Sequence, residues 1–302
     1  MIEMKGFSFR YQSADKNAPM ALSDIDMTIR DGEFVGITGN SGAGKSTLTY
    51  ALSGLVPHHF EGDFYGSVTV NGLDTVEVKS EALAKFVGEV FQDIDSQMVA
   101  SVVEDEILFG LENFGFSHEE IKQRLDQVLS MLGIESLRRR AISSLSGGQK
   151  QKVAIASILA LSPDIIVLDE PTGELDPEST VMIYEILKTL NRDFHKTVIV
   201  VEQKIMVLCA YVSRLIVLGS GKVVFDGKAS EIIEQVPLFK ELGINVPRVV
   251  ELGIALKKVG LYPGVIPTKV DEAEKMVREV LGQKGGTKDA YIRSCLLPVS
   301  RK

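Results

Sequence analysis

The sequence predicts an α/β fold with a mostly parallel sheet, because short apolar runs alternate along the chain with helical patterns. Three such runs lie at 33–39, 165–170 and 197–201. Short apolar runs of this length are typical of parallel strands that are buried on both faces. Polar residues follow each run, and open parallel sheets bind ligands beyond the carboxyl ends of their strands. The chain is therefore expected to carry its functional site at that edge.

The best-defined predicted helix begins after Ser117, which fits a capping box with Glu120. Its apolar stripe consists of Ile121, Leu125, Val128, Leu129 and Leu132. Gly133 is suited to end the helix. The segment from about 93 to 163, which contains this helix, is predicted to be a helical subdomain inserted between strands of the sheet.

Residues 231–302 are predicted to form a mainly helical C-terminal extension. The segment 247–260 begins with Pro247, which suits a first helical turn, and 271–282 is amphipathic. Residues 1–230 are then expected to form the main domain.

Composition excludes several classes of function. The 302 residues include 33 basic and 41 acidic side chains and carry a net charge of −8, so we expect no nucleic-acid partner. Cys209 and Cys295 form no CxxC pair, which favours a reduced, cytosolic protein. The N-terminus lacks the apolar core of a signal peptide, and no apolar run approaches the ~20 residues of a membrane-spanning helix. Any membrane attachment is therefore expected to depend on another chain.

The strongest motif is a glycine-rich P-loop placed between a predicted strand and a predicted helix. It consists of Gly39, Asn40, Ser41, Gly42, Ala43, Gly44, Lys45 and Ser46, and Thr47 follows it. Such a loop turns successive N–H groups towards phosphate oxygens. Lys45 is expected to neutralise the β- and γ-phosphates, and Ser46 to ligate Mg²⁺.

Asp169 and Glu170 end the second apolar run. Because parallel strands present their carboxyl ends at one edge, both carboxylates are expected near the P-loop. One carboxylate can hold Mg²⁺ through water, and the next can orient and deprotonate an attacking water. Acidic residues are common at the ends of strands, so the functional assignment of this pair depends on the P-loop.

A second anion-binding helix terminus is predicted after Leu145. It consists of Ser146, Gly147, Gly148 and Gln149. A helix cap explains the serine but not the paired glycines, which are costly within a helix. Close approach of a phosphate to the backbone explains them better.

These motifs together resemble the ATP-binding subunit of an ABC transporter over residues 1–230. The resemblance implies an α/β fold with a P-loop, RecA-like core, a mixed, largely parallel sheet, an inserted helical subdomain and a C-terminal helical extension. It also implies ATP and Mg²⁺ as ligands and transport-coupled ATP hydrolysis. Each ATP would lie between the P-loop of one chain and the Ser146–Gly–Gly–Gln signature of a second ATPase subunit.

The same resemblance implies roles for further residues. Tyr11 is similar to the aromatic residue that stacks on adenine, and Gln92 to the glutamine that contacts Mg²⁺ and the attacking water. Residues 173–176 resemble the loop that crosses the dimer axis, with Asp176 facing the partner.

Three stretches, 54–66, 91–113 and 145–161, resemble the ATPases of energy-coupling factor importers, which take up vitamins and transition-metal ions such as cobalt and nickel. This resemblance implies a transmembrane coupling subunit, a substrate-binding membrane subunit and a location at the cytoplasmic face of the membrane. It also implies that residues 231–302 add to the dimer contact.

Gln203 departs from the pattern of the family. The importer ATPases read Val-Glu-His where this chain reads Val201-Glu202-Gln203, and the histidine contacts the γ-phosphate. His195 does not replace it, because eight residues of strand at ~3.3 Å each separate it from Gln203 by about 26 Å. The departure favours pairing with a paralogous ATPase that keeps its histidine over pairing of the chain with itself.

Several alternatives stay open at this point. The chain is also consistent with an ATPase of another transporter class or with a low-activity nucleotide-binding partner in a heterodimer. ABC proteins of DNA repair carry long insertions and those of translation fuse two cassettes, whereas this chain shows one cassette and neither insertion.

Overall fold

The computed structural model describes residues 1–12, 19–203, 205–232, 235–244, 246, 248–267 and 270–282. Pro247, predicted to begin a helix, and Cys295 lie outside these residues, as does the part of the predicted extension after Gly282. The chain divides into two compact units. One comprises Met1–Ser230 with Leu242–Ile244, and the other comprises Glu231–Glu241 and Asn245–Lys302.

The strands in chain order are β1 (Ile2–Tyr11), β2 (Leu22–Ile29), β3 (Phe34–Gly39), β4 (Gly62–Val70), β5 (Leu73–Asp74), β6 (Val87–Val90), β7 (Ile165–Asp169), β8 (Thr197–Val201), β9 (Arg214–Gly219) and β10 (Lys222–Lys228). The helices are α1 (Lys45–Leu52), α2 (Leu55–His58), α3 (Ser80–Leu83), α4 (Ile94–Gln97), α5 (Val103–Asn113), α6 (His118–Met131), α7 (Gly147–Leu161), α8 (Pro177–Phe194), α9 (Ile205–Tyr211), α10 (Ala229–Ile232), α11 (Val236–Glu241), α12 (Arg248–Lys258) and α13 (Val270–Gly282).

The larger sheet has the order β10-β9-β3-β8-β7-β6. Strands β9, β3, β8, β7 and β6 are parallel, and β10 pairs with β9 in the antiparallel direction. All residues of β3, β7 and β8 are buried, as their continuous apolar runs predict. The predicted α/β fold with a mixed, largely parallel sheet is confirmed.

A second, antiparallel sheet was not predicted from the sequence. Its order is β2-β1-β4-β5. Its strands alternate between buried and exposed residues, and irregularities interrupt the pairing of β1 with both β2 and β4. Gly6, with a φ of 54°, lies within an irregularity of both pairings. Such a bulge breaks the period of two on which strand prediction depends.

Helices α4–α7 connect β6 to β7, which are neighbours in the sheet. Ser117 accepts a hydrogen bond from the Glu120 backbone N–H, and the Glu120 side chain accepts one from the Ser117 N–H, which completes the predicted capping box. Gly133 follows α6 with a φ of 63°, a conformation that ends a helix readily in glycine. Helices α5 and α6 both pack on α7. Helix α7 also packs on β6, the edge strand of the larger sheet.

In the second unit, α12 and α13 pack against each other. Ala273, Met276 and Val280 form the buried face of α13. Among the described residues, no helix combines the length and the apolar character needed to cross a membrane.

Candidate functional site

The P-loop connects β3 to α1 at the carboxyl edge of the larger sheet. Two of its glycines lie too close to other backbone atoms for any side chain. A Cβ on Gly39 would lie 2.4 Å from the Leu218 carbonyl oxygen, and one on Gly44 would lie 2.5 Å from the Ala21 carbonyl oxygen. Gly44 also has a φ of 97°, which an L-residue rarely adopts. The loop can therefore hold this shape only with glycine at these two positions.

Lys45 lies across the opening of this loop. Its Nζ donates to the carbonyl oxygens of Gly39, at 3.1 Å, and Asn40, at 3.0 Å. Only 7% of Lys45 is exposed, while Asn40, Ser41 and Gly42 are exposed. The ammonium group thus lies where phosphate oxygens would meet the backbone N–H groups of the loop.

Asp169 lies at the end of β7 and accepts a 2.6 Å hydrogen bond from Ser46 Oγ through its Oδ2. Burial raises the pKa of Asp169, the charge of Glu170 adds to this rise, and the Ser46 hydrogen bond and Lys45 oppose it. The second oxygen, Oδ1, is buried and has no hydrogen-bond partner within the described residues. A serine hydroxyl beside an unpartnered carboxylate oxygen is a donor set that suits Mg²⁺.

Glu170 is held by two amide groups. Gln203 Nε2 donates to Oε1 at 2.7 Å, and Gln92 Nε2 donates to Oε2 at 3.2 Å. The Glu170 backbone N–H donates to the Val201 carbonyl oxygen at 2.9 Å, and its φ is 51°. The ends of β6, β7 and β8 thus bring Gln92, Glu170 and Gln203 together, although the three are far apart in sequence.

Tyr11 ends β1 and lies beside the P-loop helix. Its hydroxyl and Thr47 Oγ1 are 3.0 Å apart. Its ring packs edge-on against Phe9, with centroids 5.0 Å apart, and Phe60, with centroids 6.2 Å apart. These contacts position a half-buried aromatic ring next to α1.

The signature glycines at the start of α7 lie close to Glu174, which follows β7. Ser146 and Gln149 form a capping box. A Cβ on Gly147 would lie 2.8 Å from Glu174 Oε2, and one on Gly148 would lie 3.0 Å from the Glu174 carbonyl oxygen. The sequence predicts that the paired glycines let a phosphate approach the backbone. The structure gives a second reason for glycine at both positions, because Glu174 lies too close to leave room for a Cβ.

Glu174 belongs to the loop between β7 and α8, residues 170–176, which we call the Glu170 loop. Asp176 ends this loop as the cap of α8, because its carboxylate accepts from Ser179 N at 2.8 Å and from Ser179 Oγ at 2.7 Å. The structure therefore brings the P-loop, Asp169, Glu170, Gln92 and Gln203 to one site, and joins that site to the signature through a single loop.

Sequence reasoning missed two buried carboxylates near this site. Glu89 in β6 is 6% exposed, and the hydroxyl groups of Ser53 and Thr49 lie close enough to hydrogen-bond its carboxylate and oppose a rise in its pKa. Burial raises the pKa of Glu89 to about 7, and the charge of Asp169 contributes to the rise. Glu202 is 2% exposed. An acidic residue inside an apolar run is the only sequence signal for Glu89, and Glu202 was mentioned only as a neighbour of Gln203.

Comparison with known proteins agrees with this geometry. Residues 22–173 match the family model described as ABC transporter. The match spans half of the chain and includes the P-loop, the signature and both carboxylates of the site. This chain belongs to the ABC transporter ATP-binding family.

Relatives of this ABC protein are found in archaea and bacteria. A relative from Methanosarcina mazei is 40% identical over 252 residues, which are 83% of this chain and 43% of that protein. The energy-coupling factor transporter ATP-binding protein EcfA1 of Clostridium novyi is 36% identical over 263 residues, which are 86% of this chain and 91% of that protein. This chain thus spans less than half of the length of the Methanosarcina mazei relative and nearly all of the length of EcfA1.

Solved ABC cassettes have the same fold. A dimeric, post-hydrolysis cassette bound to ADP and Pi is 31% identical, with a TM-score of 0.68 over 76% of this chain and 99% of that one. The protein cbiO1 of Clostridium perfringens, which is part of the transporter complex cbiONQ, is 28% identical, with a TM-score of 0.68 over 83% of this chain and 97% of that one. The protein is therefore an ATPase of the ABC type that binds ATP, and cassettes of this family form dimers.

Proposed function

We propose that this protein is the ATP-hydrolysing subunit of an energy-coupling factor type importer that takes up vitamins or transition-metal ions. The full-length similarity to EcfA1 and the similarity to cbiO1 support this subtype. The observation that carries hydrolysis is the placement of Glu170, which lies next to Asp169 and between two amide donors.

Glu170 serves as the general base in this proposal. Its carboxylate is half-buried and fixed by Gln92 and Gln203, so it is positioned to orient a water and accept its proton. Lys45 neutralises the β- and γ-phosphates, and the P-loop residues Gly39 to Thr47 supply N–H groups and hydroxyls. Tyr11 supplies an aromatic face for adenine.

Ser46, Asp169 and Gln92 are the residues that would hold Mg²⁺. Such an ion would neutralise negative charge on the phosphates of ATP. The unpartnered Oδ1 of Asp169 is the observation in this structure that fits the ion.

A second ATPase subunit completes each site in this proposal. Gly147 and Gly148 lie against Glu174 in the Glu170 loop of their own chain, and Ser146 and Gln149 cap the same helix. We assign all four residues to an ATP held by the P-loop of the partner. The α12–α13 unit adds to the dimer contact. The larger assembly includes a transmembrane coupling subunit and a substrate-binding membrane subunit, and lies at the cytoplasmic face of the membrane.

A low-activity partner in a heterodimeric ATPase is the second candidate function. One observation favours it: position 203 presents a neutral amide to Glu170, where the importer ATPases present a histidine. A paralogue that keeps its histidine would then give one intact and one weaker site, so we propose the paralogue as the preferred partner.

The test of the proposed function is to express the tagged full-length chain in its native host and identify the membrane proteins that co-purify with it. We expect a second ATPase, a transmembrane coupling subunit and a small substrate-binding membrane protein, and we expect ATP turnover to rise in their presence. Isolation with the permease of another transporter class would overturn the subtype, and turnover that does not respond to any membrane partner would overturn the transport role.

A further inference from the structure

Glu202 is a buried carboxylate directly before Gln203 at the end of β8. Its backbone N–H donates to the Ile37 carbonyl oxygen at 3.0 Å, so its backbone is tied to the strand that leads into the P-loop. Only 2% of Glu202 is exposed. Burial of a carboxylate is costly unless it is hydrogen-bonded, so Glu202 requires hydrogen-bond donors within the protein.

The Glu202 side chain is bonded to the Glu170 loop. Its Oε1 accepts from the Thr172 hydroxyl at 2.5 Å and from the Thr172 backbone N–H at 3.2 Å. Thr172 is fully buried and lies two residues after Glu170. Hydrogen bonds to a charged acceptor are roughly twice as strong as neutral ones. Glu202 therefore fixes the loop immediately behind the candidate base.

The Glu170 loop makes further contacts on both sides of Thr172. Before Thr172, the Glu170 N–H is bonded to the carbonyl oxygen of Val201 at 2.9 Å. After Thr172, Glu174 lies against the signature glycines. Because Thr172 lies two residues from both Glu170 and Glu174, we expect a shift at Thr172 to reach the Glu170 carboxylate and the contact with the signature glycines.

A purely structural role explains this arrangement less well. A carboxylate is a costly group to bury for packing alone, because only hydrogen bonds replace the hydration that it loses. Tyr184 places another buried hydroxyl near Glu202, since the charge of Glu202 contributes to raising the pKa of Tyr184, after burial itself. That hydroxyl has no hydrogen-bond partner within the described residues, while both Thr172 donors are directed at Glu202.

We propose that Glu202 is a positioning residue for ATP hydrolysis. Through its hydrogen bonds to Thr172, it keeps the Glu170 carboxylate within hydrogen-bonding distance of Gln203. The inference rests on the proposed role of Glu170 as general base. Glu202 itself contacts Thr172 and is not a catalytic residue. The effect is therefore expected in kcat, which depends on the base, and not in KM for ATP, which depends on the P-loop.

The test compares two substitutions at Thr172 in the purified full-length chain. Thr172→Val removes the hydroxyl at nearly constant volume, and we expect kcat to fall about tenfold while KM for ATP stays within about twofold. Thr172→Ser keeps the hydroxyl and is expected to restore kcat to within about threefold of the original value. Thr75→Val is the matched control, because Thr75 is equally buried and its hydroxyl has no partner within the described residues.

Three outcomes would overturn the proposal. One is an unchanged kcat in Thr172→Val, another is a serine variant as slow as the valine variant, and the third is an equal loss in Thr75→Val. Glu202→Gln keeps the acceptor oxygen without its charge, and it replaces Thr172→Val if that variant does not fold, with a fall in kcat of about fivefold expected. Glu170→Gln is measured in parallel: if it retains full turnover, the proposed function fails, whereas normal Thr172 variants beside an inactive Glu170→Gln reject only the role of Glu202.

Discussion

Gln203 Nε2 lies 2.7 Å from Glu170 Oε1, and this hydrogen bond joins the ends of two adjacent strands of the sheet. Gln92 bonds the other oxygen of the same carboxylate at 3.2 Å. The sequence marks Gln203 as a departure from the histidine that contacts the γ-phosphate in the importer ATPases, and the structure shows a hydrogen bond from its amide to Glu170. An amide can orient a carboxylate, but it cannot carry the positive charge available to histidine.

Gln203→His is expected to raise the turnover of the isolated chain. A charge-assisted contact in place of a neutral one is worth ~1–3 kcal/mol of transition-state stabilisation, or about 5- to 150-fold in kcat. Steady-state phosphate release at saturating ATP measures the effect. A flat turnover, together with an isolated chain that already matches a reconstituted transporter, would show that glutamine is a tolerated substitution and would remove the reason for preferring a paralogous partner.

Lys45→Ala is expected to weaken ATP binding by at least about tenfold, because it removes the buried ammonium that lies across the P-loop. Titration with a fluorescent ATP analogue measures the change. Lys5→Ala is the control, since the exposed Lys5 side chain forms a salt bridge with Glu3, and a surface salt bridge contributes little. Equal affinity of the Lys45 variant and the original chain would place the phosphates elsewhere.

Glu89→Gln is expected to change how stability depends on pH. Burial raises the pKa of Glu89 from its usual 4.5 to about 7. Between these values the unfolded chain ionises this group while the folded chain keeps its proton. The original protein therefore loses stability as pH rises through this window, by at most about 3 kcal/mol, and the glutamine variant does not.

Denaturant unfolding at pH 5 and pH 8 measures this difference. The stability gap between Glu89→Gln and the original chain should move in favour of the variant at the higher pH. A gap that stays constant across that range would show that folding does not raise the pKa of Glu89.

Ending the chain after Ile244 is expected to leave a folded ATP-binding cassette that associates more weakly. This end point keeps Leu242–Ile244, which belong to the same compact unit as Met1–Ser230. Sedimentation with ATP compares association, and nucleotide affinity serves as the folding control. An unchanged dimer constant would reject a dimerising role for α12 and α13, and insolubility would indicate that they pack on their own cassette.

The elements that local pattern specifies were predictable. The predicted strand before the P-loop is confirmed, and all of its residues are buried. It could be predicted because a parallel strand that is buried on both faces reads as a continuous apolar run. The antiparallel sheet was missed because its bulged first strand pairs with residues far along the chain, and period-two alternation is lost at a bulge. Local sequence carries no record of such long-range pairing.

The same limit applies to the site. Glycines and a lysine at fixed spacing predict a phosphate loop, because the backbone shape itself is local. The contact of Gln203 with Glu170 depends on the order of β7 and β8 in the sheet. The hydrogen bond between Thr172 and Glu202 also depends on the pairing of β7 with β8. The two residues are thirty positions apart in sequence, so no local motif predicts their contact.

Single-turnover hydrolysis by Glu170→Gln tests the assignment of the base most directly. The substitution keeps the size of the side chain and a hydrogen-bonding oxygen, so ATP affinity should stay within about twofold of the original. The chemical step should slow by about 10²- to 10⁴-fold, because the amide cannot accept the proton of the attacking water. Hydrolysis by Glu170→Gln at the rate of the original chain, with ATP bound equally well, would contradict the role of Glu170 and the site built around it.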